Sequence, residues 1–328
     1  MSLSVLGTGR RMPALEITND DMASVVETSD EWISARTGIR GRRFITNEDL
    51  TALAAGAGRL ALEDAGLDAS EIDLIICSTI QGDYITPSLA NLVQRDLGAS
   101  CPAFDINAAC CGFLYGLDAA HAYIGAGKAA RVLLISAEHM SKFLDWTDRS
   151  TCVLFGDGAA AAVLGGGSGL RYITVDSNGQ TESLRIPAHK PGIPFARSGG
   201  EEREKSVVYM NGQSVFKFAV STCTDGIRRA LDTLKLTAGD IAHYILHQAN
   251  GRIIDAVRRA LDLPEEKFPT NIRRTANMSS VTIPCLLDEL NRAGRLKRGE
   301  RLVLSAFGAG LTAGTCVLEW QKEAVSYG

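Results

Sequence analysis

One cysteine, one histidine and one asparagine in this chain sit in local settings that suit acyl chemistry on sulfur. Cys110 lies in the run DINAACCGF at 105–113, where small residues lead into an alanine-rich, strongly helical stretch. A cysteine at the start of a helix meets oriented N–H groups and the positive end of the helix dipole, which favour thiolate over thiol. A thiolate attacks acyl groups and holds them as thioesters. His247 stands in LHQAN at 246–250 and Asn277 in TANMS at 275–279. Such a pair can donate hydrogen bonds to a developing oxyanion, or can serve a thiol as base and orienting amide. The trio by itself leaves both chemistries open.

Residues so far apart must be gathered by a scaffold, and the two halves of the chain echo each other. A helical stretch at 50–65, apolar at i, i+3 and i+4, leads through GLDASE into a buried strand at 72–79. A second helical stretch at 214–234 leads through LTAGD into a strand at 241–247, with the two strand starts 169 positions apart. VLFGDGAAAAVL at 153–164 resembles LSAFGAGLTAGTCVL at 304–318, with Phe155 and Phe307 separated by 152. Offsets this close predict a duplicated α/β unit joined at GGGSG (165–169), with halves 1–167 and 168–328. Alternating strands and helices predict a mixed or parallel sheet in each half, covered on both faces. The helix expected over 110–127 carries few charges. It is expected to be buried nearly all round, with Cys110 in the interior between the halves. The stretch 184–209 carries Pro187, Pro191, Pro194 and the charge run EEREK (201–205), and reads as a surface excursion.

Composition bounds the rest. A chain of 328 residues, 45% hydrophobic, can bury a large core. A net charge of −4 argues against a global nucleic-acid-binding role. The N-terminal residues lack a basic region followed by an apolar one, and no apolar run is long enough to span a membrane, so a cytoplasmic protein is expected. The eight cysteines are scattered and expected to be reduced; there is no CxxC or HExxH, and the five histidines do not cluster, so no metal site is expected. His243 shares a strand face with His247 and reads as a partly exposed histidine. His121, His139 and His189 are assigned no role.

Taken together, Met12-Pro13, TSDEWISARTGIR (28–40), ACCGF (109–113), FGDGA (155–159), HQAN (247–250), NMSS (277–280) and FGAG (307–310) resemble β-ketoacyl-acyl carrier protein synthase III. That family comprises the thiolase-fold condensing enzymes that start bacterial type II fatty-acid synthesis. The resemblance runs from about residue 5 to 320 with every block in order. It implies an α/β fold, a thiolase-like five-layered αβαβα sandwich of two duplicated halves.

The resemblance also implies roles. The active cysteine stands two residues before Gly-Phe, which selects Cys110 over Cys111. It would take an acyl group from acyl-CoA, a substrate and not a cofactor. His247 and Asn277 would then stabilise the enolate formed when a malonyl-acyl carrier protein loses CO₂. The backbone N–H groups of Cys110 and Ala309 would hold the later tetrahedral oxyanion; the family more often has glycine at Ala309. Trp32, Arg36 and Arg149 match positions that hold CoA adenine and phosphates. Thr28, Thr37, Met210, Phe216, Ala249 and Asn250 match positions lining the pantetheine channel. Lys217, Arg252, Arg258 and Arg259 match a basic patch for the acidic carrier protein. Thr86 falls where a homodimer's partner closes the acyl pocket, and its small size predicts primers longer than acetyl. Two rivals remain: a related acyltransferase or condensing enzyme of secondary metabolism, and a Cys-His-Asn thiol hydrolase in which Asn orients His.

Overall fold

The computed structural model describes residues 2–189 and 204–323. The first half runs β1 (Ser2–Arg11), β2 (Leu15–Thr18), α1 (Asn19–Ala23), α2 (Asp30–Thr37), β3 (Gly41–Phe44), α3 (Leu50–Ala65), β4 (Leu74–Ser78), α4 (Leu89–Leu97), β5 (Ala103–Ile106), α5 (Gly112–Gly125), β6 (Arg131–Glu138) and β7 (Gly158–Gly167). The second runs β8 (Leu170–Gln180), β9 (Leu184–Arg185), β10 (Tyr209–Met210), α6 (Gly212–Leu234), β11 (Ile241–Leu246), α7 (Gly251–Ala260), α8 (Ile272–Thr275), α9 (Thr282–Arg292), β12 (Arg301–Gly308) and β13 (Gly310–Glu319).

Two sheets form the frame. The first has the order β1-β7-β6-β4-β5 and the second β11-β12-β13-β8. In both, the pairing follows one pattern. β4 runs parallel to β6 as β11 does to β12; β7 is antiparallel to β6 and β1 as β13 is to β12 and β8. β7 begins at Gly158 and β13 at Gly310, so the glycine echo in the sequence marks equivalent antiparallel strands. The central strands read as continuous apolar runs because both sheet faces are covered: every residue of β4 is buried.

The helices complete five layers. α3 and α4 pack on the outer face of the first sheet, and Gly7 and Gly9 let α3 lie directly on β1. A Cβ at Gly9 would stand 2.4 Å from the Ala57 carbonyl oxygen. α6 and α7 cover the outer face of the second sheet. Between the sheets lie α5 and α9, and one apolar cluster joins Phe113, Leu114 and Leu117 to Ile283, Leu286 and Leu290. Fully burying side chains of this size stabilises by roughly 1.5–3 kcal/mol each.

Three expectations are corrected. α5 starts at Gly112, with Cys110 in the preceding 3₁₀ turn Ala109–Cys111. Nor is α5 buried all round. Phe113, Leu114, Gly116, Leu117 and Ala120 face the core, while Tyr115 and Ala119 are half-buried and Ala122 is exposed. Within 184–209, β9 and β10 pair antiparallel, so this stretch is not all loop. Of the charge run, Glu204 pairs with Arg185 and Lys205 with Asp145, while 190–203 lie outside the described residues. No helix among the described residues is long and apolar enough to cross a membrane.

Candidate active site

Two turns of the same design face each other where the sheets meet. Asn107 Oδ1 accepts a hydrogen bond from Ala109 N at 3.1 Å, and Asn277 Oδ1 accepts one from Ser279 N at 2.9 Å. In each turn the next backbone bond also repeats: Cys111 N to Ala108 O and Val281 N to Met278 O, both 3.1 Å. Ala109 and Ser279 both take positive φ, 47° and 50°, and α5 and α9 start three residues later. A non-glycine residue in that region is strained, and such strain gathers at functional sites. Cys110 follows the first strained residue, and Asn277 stands two positions before the second and directly after Ala276, whose φ is 53°.

The backbone of Asn277 is clamped by the loop before β7. Asn277 N donates to Leu154 O, and Gly156 N donates to Asn277 O, both at 3.0 Å. Gly156 is needed for this approach, since a Cβ there would lie 2.7 Å from Thr275 O. Asp157, fully buried, ties the same loop to Ile45 N and to Ser141 N and Oγ. With Oδ1 engaged by Ser279, the Asn277 amide turns its NH₂ group away from its own turn.

His247 follows the end of β11, where its N donates to Ser305 O at 2.9 Å. Its Nδ1 lies 2.6 Å from Thr282 Oγ1, and its ring meets Phe307 edge-on at 5.3 Å. The side chain is 2% exposed, and burial pushes its imidazole down to about 3, so the ring is neutral. The Cys110 thiol moves the other way. The residue is half-buried, and desolvation pushes the thiol up to about 12, aided by the charge of Glu138 and opposed by a hydrogen bond from Ser279. The sequence reading expects a thiolate favoured by a helix start; in the structure the sulfur sits in the turn directly before α5, and burial acts on it in the opposite direction.

Gly308 brings the β12–β13 turn onto the nucleophile turn, where a Cβ would stand 2.8 Å from Cys110 N. Thr312 Oγ1 bridges the two turns, within 3.1 Å of both Ala108 O and Ala309 O. Ala309 follows Gly308 in this turn.

Cys110, His247, Asn277 and Ala309 all line one cavity of about 140 Å³. Met210, Phe216, Ala249 and Asn250 line it too. Trp32, Arg36 and Arg149 lie outside it as a stacked group, the guanidinium carbons 4.6 Å and 5.2 Å from the indole centroid. Trp32 packs on the apolar cluster that includes Met140, Leu154 and Phe155 of the cavity wall. Thr28 and Thr37 do not reach the cavity. Thr37 is buried with its hydroxyl donating to Ile33 O and accepting from Ile39 N, which makes it a terminator of α2. Thr28 Oγ1 is buried with no hydrogen-bond partner among the described residues.

Lys217 and Arg252 are exposed. Arg258 and Arg259 both pair with Asp255, and Arg258 also donates to Leu263 O, so Arg258 braces the end of α7. Thr86 is exposed and absent from the cavity wall of a single chain. Among the described residues no three His, Cys, Asp or Glu side chains gather as a metal-ligand set. Sequence reading missed Ser279, Thr282 and Glu138. The repeat of an Asn-x-small-x-x turn at 107 and 277 is a sequence signal for Ser279 alone; Thr282 and Glu138 lie outside it.

Known proteins resemble this arrangement over nearly the whole chain. The family model for 3-oxoacyl-(acyl-carrier-protein) synthase III matches residues 104–180, and that for its C-terminal part matches 231–320. A β-ketoacyl-(acyl-carrier-protein) synthase III of Clostridium acetobutylicum is 43% identical over 325 residues, covering 98% of this chain and 99% of the relative. The crystal structure of a 3-oxoacyl-(acyl carrier protein) synthase III from Pseudomonas aeruginosa PAO1 superposes with a TM-score of 0.90 at 38% identity, over 99% of this chain and 100% of that one. A priming β-ketosynthase from the R1128 polyketide biosynthetic pathway also reaches 0.90, at 34% identity over 98% and 96% of the two chains.

Proposed function

Because this chain belongs to the 3-oxoacyl-(acyl-carrier-protein) synthase III family, we propose that Cys110, His247 and Asn277 carry out its condensation in two stages. The enzyme is an acyltransferase of fatty-acid biosynthesis and performs the initiating condensation. In the first stage Cys110 attacks the thioester of an acyl-CoA primer and keeps the acyl group. In the second, malonyl-acyl carrier protein loses CO₂, and the carbanion attacks acyl-Cys110 to form 3-oxoacyl-acyl carrier protein.

The observation that carries this reading is the pair of neutral donors beside the sulfur. A buried, uncharged imidazole and an amide whose Oδ1 is already engaged can both donate to an enolate oxygen, where the charge develops. For His247 to donate, Nε2 must carry the proton, so Nδ1 must accept from Thr282. The Thr282 hydroxyl has two acceptors in reach, His247 Nδ1 at 2.6 Å and Ser279 O at 3.2 Å, and this tautomer gives its proton to the nearer. A thiol hydrolase would have Asn orient His; here Thr282 takes that place and Asn277 bonds to Ser279 instead.

Trp32, Arg36 and Arg149 form a cationic stacking platform suited to a nucleotide, with Met210, Phe216, Ala249 and Asn250 leading inward from it. Lys217, Arg252 and Arg259 offer charge to an acidic carrier protein. Thr86 would reach the acyl group only from a second copy of the chain, so its role and the homodimer belong to one reading. Intact mass after acetyl-CoA, alone and then with malonyl-acyl carrier protein, tests the two stages beside Cys110→Ser. We expect an adduct that needs Cys110 and disappears as 3-oxoacyl carrier protein forms. No adduct from acetyl-, isobutyryl- or octanoyl-CoA overturns the reading. A product released equally well without a carrier protein would favour the secondary-metabolic relative.

A further inference from the structure

One buried carboxyl takes hydrogen bonds from two loops that line the cavity. Glu138 ends β6 and is 1% exposed. Its Oε1 accepts from Ser279 Oγ at 3.1 Å and from Ser280 Oγ at 2.7 Å, and its Oε2 from Ile80 N at 3.0 Å. Ser279 and Ser280 belong to the Asn277 turn. Ile80 stands two residues after β4 and lines the same cavity as Cys110. The bonds continue on each side. Ser279 N donates to Asn277 Oδ1 at 2.9 Å. Ile80 O accepts from Asn107 Nδ2 at 3.4 Å, and Asn107 Oδ1 accepts from Ala109 N at 3.1 Å. Hydrogen bonds therefore run from the Asn277 turn, through Glu138 and the backbone of Ile80, to the Cys110 turn.

We propose that Glu138 is a positioning residue for the condensation: it holds the Asn277 turn in place against the Cys110 turn, and so fixes where the Asn277 amide donates. The proposal rests on Asn277 as a donor to the enolate. Ser279 takes a φ of 50°, and its N–H engages Asn277 Oδ1. The direction of that N–H follows the Ser279 backbone, and Glu138 grips this residue and the next by their hydroxyls. Bonds to a carboxylate are stronger than those between neutral groups. On the nucleophile side the tie is weaker, since it passes through the 3.4 Å bond between an amide and a backbone carbonyl. Loss of Glu138 therefore falls on the second stage more than on the first.

Filling space does not call for a carboxyl at this place. Burial opposes its charge and pushes it up to about 7, although three donors favour the charged form. What the carboxylate supplies is geometry, because two oxygens fixed in one plane set the relative places of three donors from two loops. The Ile80 end is itself anchored. Lys142 donates to Gln81 O at 2.9 Å and to Gly82 O at 3.1 Å, and Asp83 accepts from Leu50 N and Thr51 N at the start of α3.

The test separates the two stages at pH 8 in the parent protein, Glu138→Leu, Glu138→Gln and Ser280→Ala. Intact mass follows the appearance of acyl-Cys110 from whichever of acetyl-, isobutyryl- or octanoyl-CoA labels the parent fastest. It then follows the loss of that adduct when malonyl-acyl carrier protein is added. In Glu138→Leu we expect the second rate to fall about tenfold or more, with the first within about threefold of the parent. Glu138→Gln is expected to restore the second rate to within about threefold. Its carbonyl accepts from Ile80 N, and its NH₂ donates to the two serine hydroxyls, which turn to accept. A merely structural carboxyl would lower both rates alike, and that result overturns the proposal. So does a second rate unchanged in Glu138→Leu, or one as low in Glu138→Gln as in Glu138→Leu. If Glu138→Leu does not fold, Ser280→Ala decides, since it removes the shorter tie and keeps the carboxyl: its second rate must fall more than its first. A parent that forms no adduct refutes the condensation reading and this role with it, whereas a parent that turns over beside variants lacking the split refutes the role alone.

Discussion

A thiol at about 12 and an imidazole at about 3 are each pushed by burial toward the neutral form. The site is therefore built from uncharged groups, and its catalytic power lies in where they point. Replacing His247 with Ala removes one of two donors and leaves the sulfur in place. Condensation is expected to fall about 10²–10³-fold, while the acetyl-Cys110 adduct still forms by intact mass. Burial also couples the site to stability, with opposite signs for two groups. Between 4.5 and about 7, folded Glu138 holds a proton that the unfolded chain has released, so raising the pH through that window lowers stability. Between 6.5 and about 3, the unfolded chain protonates His247 and the folded one does not, so lowering the pH costs stability there. Glu138→Gln removes only the first effect. Its melting temperature relative to the parent is expected to rise from pH 5 to pH 8, and a constant difference would contradict the elevated carboxyl.

At the scale of elements, the working parts are two short turns ahead of α5 and α9, not the helices. Each turn depends on an asparagine whose carbonyl oxygen caps an N–H two residues on, beside a residue at positive φ. Loss of that acceptor leaves a strained backbone without its restraint. Asn107→Ala is expected to slow Cys110 acylation by an order of magnitude, in keeping with the sensitivity of reacting groups to small misplacements. Asn107→Asp keeps the acceptor and should recover most of the rate. Equal rates for the two variants in a time course of adduct formation would deny the turn this positioning role.

At the scale of the molecule, α5 and the loop after β4 leave surface that the single chain does not cover. Tyr84 and Ile85 are 61% and 89% exposed, next to Thr86. Large apolar side chains this open on a structured loop mark a contact surface. Sedimentation is expected to give two copies per particle, and Ile85→Asp to give one. A parent protein that sediments as one copy would remove Thr86 from any role in primer choice. If Thr86 does close the pocket, octanoyl-CoA should acylate Cys110 as isobutyryl-CoA does, and Thr86→Phe should exclude the longer chain.

Much of this was legible along the chain, because it is encoded in local order. Apolar periodicity marked α3 with its observed ends and placed β4 and β11 close to where they lie. The glycine echo marked β7 and β13, and the family resemblance pointed to Cys110, which lines the cavity. The tertiary structure decided what depends on distance and solvent. That the thiol is raised and not lowered follows from burial between two sheets, which no local spacing records. That His247 leans on Thr282, that Asn277 turns its NH₂ outward, and that Glu138 reaches Ser279 across 141 positions of sequence all arise from packing one half against the other. Hydrogen-bond direction and desolvation are set by neighbours in space, and those neighbours exist only once the halves have closed on each other.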